Sequence, residues 1–141
     1  MNEGKKVSLH TKAVQRDSNG SQDKIEFYAE ANHVVKNGVR YVSYKETELS
    51  GMEGTSTTLR ITEDTLSILR FGTYNSKLEF KQGEERLTHY QTPYGTMEIH
   101  IRTELLSIDL QQDEGCSIHL KYSLESDGQE ALDNEIHISF R

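Results

Sequence analysis

A chain of 141 residues with 33% hydrophobic and 28% charged residues can bury one core but no thick multilayer interior, which suits a single-layer barrel with a solvated outer face. Its net charge of -7 repels phosphate backbones and anionic lipid surfaces, so neither a nucleic-acid nor a membrane partner is expected. The lone Cys116 cannot form an internal disulfide, and the polar opening Met-Asn-Glu-Gly-Lys-Lys contains no secretory or membrane-spanning stretch; a cytoplasmic protein is expected.

Turn signals then recur at intervals too short for a helical domain. Val7 to Ala13 alternates as a first strand and ends before the turn cluster Asp17-Ser18-Asn19-Gly20. Ile25, Phe27, Ala29 and Ala31 continue the pattern until Lys36-Asn37-Gly38, whose Asn-Gly pair signals a hairpin into a strand from Val39 to Glu46. Gly51 and Gly54 mark a mobile loop over a barrel mouth; it lacks the Lys and helix start of a phosphate cradle, and Glu53 is expected in solvent. The β-branched run Thr55, Thr57, Thr58 and Ile61 predicts the next strand, Thr65 to Phe71 and Tyr74 to Phe80 two more, and Thr92-Pro93-Tyr94-Gly95 a tight turn.

From Thr96 to Arg141 apolar and polar residues alternate at nearly every step. Met97, Ile99 and Ile101, then Leu106, Ile108 and Leu110, Ile118 to Leu124, and Leu132 to Phe140 place their apolar sets on one face. Pairing about Gly128 sets Ile118 against Ile138, Leu120 against Ile136, Tyr122 against Asn134 and Leu124 against Leu132. A loop Asp113-Glu114-Gly115, with Gly115 at a positive φ, would put Leu110 against Ile118 and Ile108 against Leu120. Apolar parity flips between Ile101 and Leu106 without a turn residue, which predicts a β-bulge near Thr103-Glu104 in one long bent strand. With no amphipathic helix to cover the dry face, the sheet must fold over itself.

Tyr44 to Thr58, reading Y-K-E-T-E-L-S-G-M-E-G-T-S-T-T, and Tyr90 to Ile99, reading Y-Q-T-P-Y-G-T-M-E-I, resemble the two signature stretches of the YwiB-like family of small Firmicute proteins. Arg70-Phe71-Gly72 and Phe80 extend the similarity over most of the chain. The resemblance implies a calycin-like barrel and no particular activity. Residues 1–141 are therefore expected to form one all-β domain, a single antiparallel calycin/lipocalin-like meander of about 8–10 strands. The chain has no Trp, so it departs from secreted lipocalins, which carry a Gly-X-Trp, and their ligands do not transfer to it.

Polar residues on the inner face are the candidates for function. Pairing across Pro93-Tyr94 places Arg86, Thr88 and Tyr90 opposite Ile101, Ile99 and Met97, so Arg86 and Tyr90 are expected to point inward. Tyr44 and Glu46 share a face with Val42, and Arg70 shares one with Leu66 and Ile68, although its hairpin also allows the opposite parity. Tyr94 and Tyr122 complete the set for the lumen or its mouth. Apolar walls with an Arg or Tyr head suit a small amphiphilic or anionic ligand, because guanidinium binds carboxylate or phosphate in a bidentate manner. The plainer alternative has these charges at the rim in solvent, with Glu46 paired to Arg70 or Arg86.

No cofactor and no metal are expected. His100, His119 and His137 fall on the outer face, and His89 is also expected to point outward. His119 and His137 oppose one another directly, but motif spacing places no acidic or Cys ligand with them. A haem barrel needs an inward axial ligand, and the alternation offers none that convinces. Catalytic motifs are absent, so the alternatives to ligand binding are a filled-core barrel serving as a protein-interaction module, and an enzyme using lumen carboxylates and tyrosines. The oligomeric state is not legible.

Overall fold

The period-two alternation becomes ten antiparallel strands in the computed structural model, which describes residues 4–111, 115–126 and 131–141. They are β1 (Lys5–Arg16), β2 (Gln22–Lys36), β3 (Val39–Lys45), β4 (Thr55–Ile61), β5 (Thr65–Gly72), β6 (Ser76–Lys81), β7 (Glu85–Thr92), β8 (Gly95–Leu110), β9 (Cys116–Ser126) and β10 (Leu132–Phe140). A single 3-10 turn, Glu48–Ser50, interrupts the connection from β3 to β4. All ten strands lie in one sheet of order β6-β5-β4-β3-β2-β1-β10-β9-β8-β7, a meander in which β1 pairs with β10 and the ring breaks only between β6 and β7.

That break is nearly sealed. Asn75 and Gln91 exchange backbone hydrogen bonds of 2.9 Å in each direction, and the Thr88 hydroxyl donates to the Lys77 carbonyl at 2.8 Å. Beyond Arg102, β8 leaves β7 and takes the β6–β7 turn instead: Gly83 N–H donates to the Thr103 carbonyl, and Thr103 N–H to the Glu84 carbonyl, each at 3.0 Å. The register of β8 against β9 shifts between Thr103 and Leu105, so the parity flip is the expected bulge, and it bends β8 where the barrel turns its corner.

Register follows the alternation. The β9–β10 pairs are those expected, from Ile118 with Ile138 to Leu124 with Leu132, and Arg86, Thr88 and Tyr90 oppose Ile101, Ile99 and Met97. Asn37 and Gly38 take positive φ of 53° and 79°, as a two-residue hairpin with the right twist requires. The β8–β9 hairpin needs correction: Leu110 pairs with Cys116 and Ile108 with Ile118, two residues from the expected register. A shift of two keeps every side chain on its face, so the alternation cannot detect it. Asp113 and Glu114 of the expected loop, and the Gly128 pivot of the last hairpin, lie outside the described residues.

A meander puts the connections after odd-numbered strands at one end of the barrel and those after even-numbered strands at the other. The even end is filled. Leu9, Val42, Ile61, Leu66, Phe80, Ile101, Leu120 and Cys116 are all at most 2% exposed there, and the Phe80 ring packs 4.7 Å from that of Tyr122. At the odd end the inner face is lined by smaller or polar groups such as Thr11, Ala13 and Asn134, and the core gives way to a cavity. The barrel thus divides into a packed half and an open half.

Candidate functional site

The cavity has a volume of about 500 Å³, and its mouth carries the β3–β4 connection. Ile25, Phe27, Leu59, Ile68, Ile136 and Ile138 make its apolar wall, while Tyr44, Glu46, Arg70, Tyr122 and Asn134 contribute polar atoms. Leu49, Ser50 and Met52 of the connection lie along its edge. Thr47 caps the 3-10 turn by accepting from Leu49 N–H, and Gly51 closes it at a φ of 75°, so the loop has a defined shape; Glu53 is exposed, as expected.

Cross-strand pairing builds the polar part. Tyr44 on β3 neighbours Thr57 on β4, Thr57 neighbours Arg70 on β5, and Arg70 neighbours Ser76 on β6, a polar row across four strands. Glu46, just beyond β3, is 8% exposed, and its carboxylate accepts a 2.6 Å hydrogen bond from the Thr57 hydroxyl. The Arg70 Nε is fully enclosed and has no hydrogen-bond partner, and the same holds for the Ser76 hydroxyl oxygen. Buried polar atoms without protein partners are rare, and such groups are met by water, an ion or a ligand.

Burial dominates the ionisation of the phenols around Arg70, and the Arg70 charge opposes it. Burial raises the ionisation of the Tyr44 phenol well above its usual range, with Glu46 adding to the effect and Arg70 opposing it. Burial likewise raises Tyr90, and it pushes Tyr122 up to about 12, the Arg70 charge partly offsetting both. All three phenols therefore stay neutral donors at physiological pH. An unfolded tyrosine ionises at ~10, so between there and about 12 the folded chain keeps a Tyr122 proton that the unfolded chain has lost, and stability falls as pH rises through this window. Tyr122→Phe removes that contribution and should carry the alkaline unfolding transition to higher pH. Far-UV circular dichroism followed from neutral to alkaline pH reads the shift; an unchanged midpoint would contradict a buried Tyr122 phenol.

The expected site residues separate into two groups. Tyr44, Glu46, Arg70 and Tyr122 come together around the cavity. Tyr90 is half-buried beside them, its hydroxyl 3.9 Å from the Met52 sulfur and its ring 6.4 Å from that of Tyr74. Arg86 is a correction. It shares the face of Ile101, but it lies at the filled end, exposed, and its guanidinium is spent on Glu84 at 2.7 Å. Tyr94, expected at the lumen or its mouth, stands at the tip of the β7–β8 turn at the mouth end and is 95% exposed. The expected pairing of Glu46 with Arg70 or Arg86 does not form either; Glu46 bonds to Thr57.

Thr57, Ser76, Asn134 and Met52 belong to this region and were not among the candidates. Thr57 shares the parity of Leu59 and Ile61, and Asn134 that of Ile136, so their inward direction was readable. The Gln15 amide donates to the Asn134 side-chain oxygen at 2.9 Å, which satisfies part of that buried amide. His33 is an inward histidine that the alternation did not single out; it is 3% exposed and meets Phe140 edge-on at 5.0 Å in the filled half, away from the cavity. His100 and His119 are half-exposed, and His89 and His137 exposed, on the outer face, as expected.

Comparison with known proteins agrees with this architecture. A family model described as a domain of unknown function (DUF1934) matches residues 8–138. The uncharacterized β-barrel protein YwiB of Bacillus subtilis (strain 168) is 29% identical over 129 residues, which cover 91% of this chain and 88% of that protein. The crystal structure of ywiB protein from Bacillus subtilis aligns with a TM-score of 0.84 at 23% identity, covering 98% of this chain and 92% of the other. No helix among the described residues is long and apolar enough to cross a membrane.

Proposed function

We propose, for a chain that belongs to the DUF1934 family of domains of unknown function, that the open half of the barrel binds a small anionic amphiphile without catalysis, its charged group at Arg70 and its apolar part along the wall. One observation supports this reading: the Arg70 side chain lines a cavity of about 500 Å³, and its buried Nε, like the hydroxyl of its ladder neighbour Ser76, has no hydrogen-bond partner among the protein's own groups. A cationic donor held in low dielectric without an acceptor is costly, and a carboxylate or phosphate oxygen relieves that cost while making a charge-assisted bond. Cavities of roughly 300–1,000 Å³ with apolar walls and a few convergent polar groups are the usual setting for small ligands. Glu46 sets direction, because its carboxylate is held by Thr57 and repels an anion from that side. Such use of a lumen is calycin-like, and the reading places it in the cytoplasm, where a lone cysteine stays reduced.

The test is a titration of a fluorescent fatty-acid analogue at fixed salt. Arg70→Met keeps the packing volume and removes the donors, and should weaken binding by about 1.5 to 3 kcal/mol, roughly tenfold to a hundredfold. Glu46→Gln retains an acceptor for Thr57 without the charge and should tighten binding, while Arg86→Ala should leave it unchanged. Equal affinities for wild type and Arg70→Met, both folded, would remove the basis of the proposal.

A further inference from the structure

On the outer face of β9 and β10, two histidines and a carboxylate converge. His119 Nε2 lies 2.7 Å from a Glu135 carboxylate oxygen, and His137 Nε2 lies 3.6 Å from the same oxygen. The two imidazoles oppose one another across the strand pair and stack 4.1 Å apart at 15°, which sets their Nε2 atoms side by side. One ligand atom from each of the three residues lies within 4.8 Å of the others, and this is the one such group of three among the described residues.

We propose that His119, Glu135 and His137 form a surface site for a borderline divalent cation of the Zn²⁺ class, with a fourth position open to water or to a donor from another molecule. Tetrahedral bonds of about 2.0–2.1 Å to nitrogen and oxygen separate donor atoms by about 3.3 Å, so the cluster needs only rotamer adjustments of its side chains to close on an ion. The backbone is already arranged. His119 and His137 are direct ladder partners, and Glu135 lies on the same face of β10 two residues before His137, so binding orders no new chain. The bonding is chemically matched as well, since two imidazoles and one carboxylate are the donor set of known open zinc sites. Lys121, the ladder partner of Glu135, and Lys12, that of His137, add positive charge nearby and hold the affinity to the micromolar range rather than below it. The site sits outside the barrel wall, so it stands or falls independently of the lumen.

Calorimetric titration of Zn²⁺ into the untagged protein tests it. One ion per chain should bind at micromolar concentration, and His119→Ala, His137→Ala and Glu135→Gln should each weaken binding at least tenfold. These side chains are at least partly exposed, and an unchanged circular dichroism spectrum verifies each variant. The double variant His89→Ala, His100→Ala, which alters outer-face histidines that each lie near a carboxylate but belong to no such group of three among the described residues, should bind as wild type does. Absence of a one-to-one event, or binding that survives His119→Ala and His137→Ala, would overturn the proposal.

Discussion

Leu120→Asp should abolish the cooperative unfolding transition, whereas Leu87→Asp should unfold within about 0.5 kcal/mol of wild type. The two substitutions are chemically identical and differ only in face. Leu120 is fully buried between Leu106 of β8 and Ile136 of β10, while Leu87 is 62% exposed on β7. An unpaired carboxylate in the filled half loses its hydration with no donor in exchange, at a cost of about 4 kcal/mol or more. That is a large share of the roughly 5–15 kcal/mol by which a domain of this size is stable. Urea unfolding followed by far-UV circular dichroism measures both variants; comparable midpoints would mean that the inner and outer faces are exchanged.

Gly72→Ala should cost about 3 kcal/mol or more, against about 1–2 kcal/mol for Gly83→Ala. Both glycines have positive φ, 130° and 80° respectively, so both substitutions strain the backbone. Only Gly72 also lacks space. A methyl group there would overlap the Gly54 carbonyl oxygen and lie 3.1 Å from the Thr55 Cα, whereas nothing approaches within 4 Å at Gly83. Neither obstacle is a flexible side chain that could swing away. The crowding occurs where the β5–β6 turn meets the loop over the mouth, with Thr73 N–H donating to the Gly54 carbonyl at 3.3 Å, so Gly72→Ala also disturbs the frame of the cavity. Urea midpoints of the two variants compare them, and equal losses would show that the Gly54 contact is absent in solution.

The alternation in the sequence determines faces and little else, and the residues that were misplaced show why. Ile118 to Leu124 could be matched to Leu132 to Ile138 because each strand keeps its apolar residues on one parity, broken only by Asn134. Leu110 was matched to Ile118 rather than Cys116 because a two-residue slip is invisible to parity. Arg86 and Arg70 both occupy inward parity. Arg70 lies in a strand paired on both sides, at the open end, while Arg86 begins the strand beside the sheet break and finds Glu84 at the filled end. Parity cannot report position along the barrel axis; that requires knowing which hairpins share an end. Glu135 was readable beside the two histidines, because it precedes His137 by two residues on the same face and the β9–β10 register was the expected one; a search by motif spacing alone passes over it. Arg70 was among the candidates on parity alone, but its missing acceptor is a property of packing that no pattern of residue types encodes.

The Arg70 Nε–H group can be observed directly by proton–nitrogen correlation spectroscopy, with its signal assigned by its disappearance in Arg70→Met. Addition of a short alkyl carboxylate or alkyl phosphate should shift this signal downfield and saturably, as an enclosed donor gains a charge-assisted acceptor. An Arg70 signal that stays in place through the titration, while the added amphiphile perturbs only residues of the outer face, would contradict binding in the lumen.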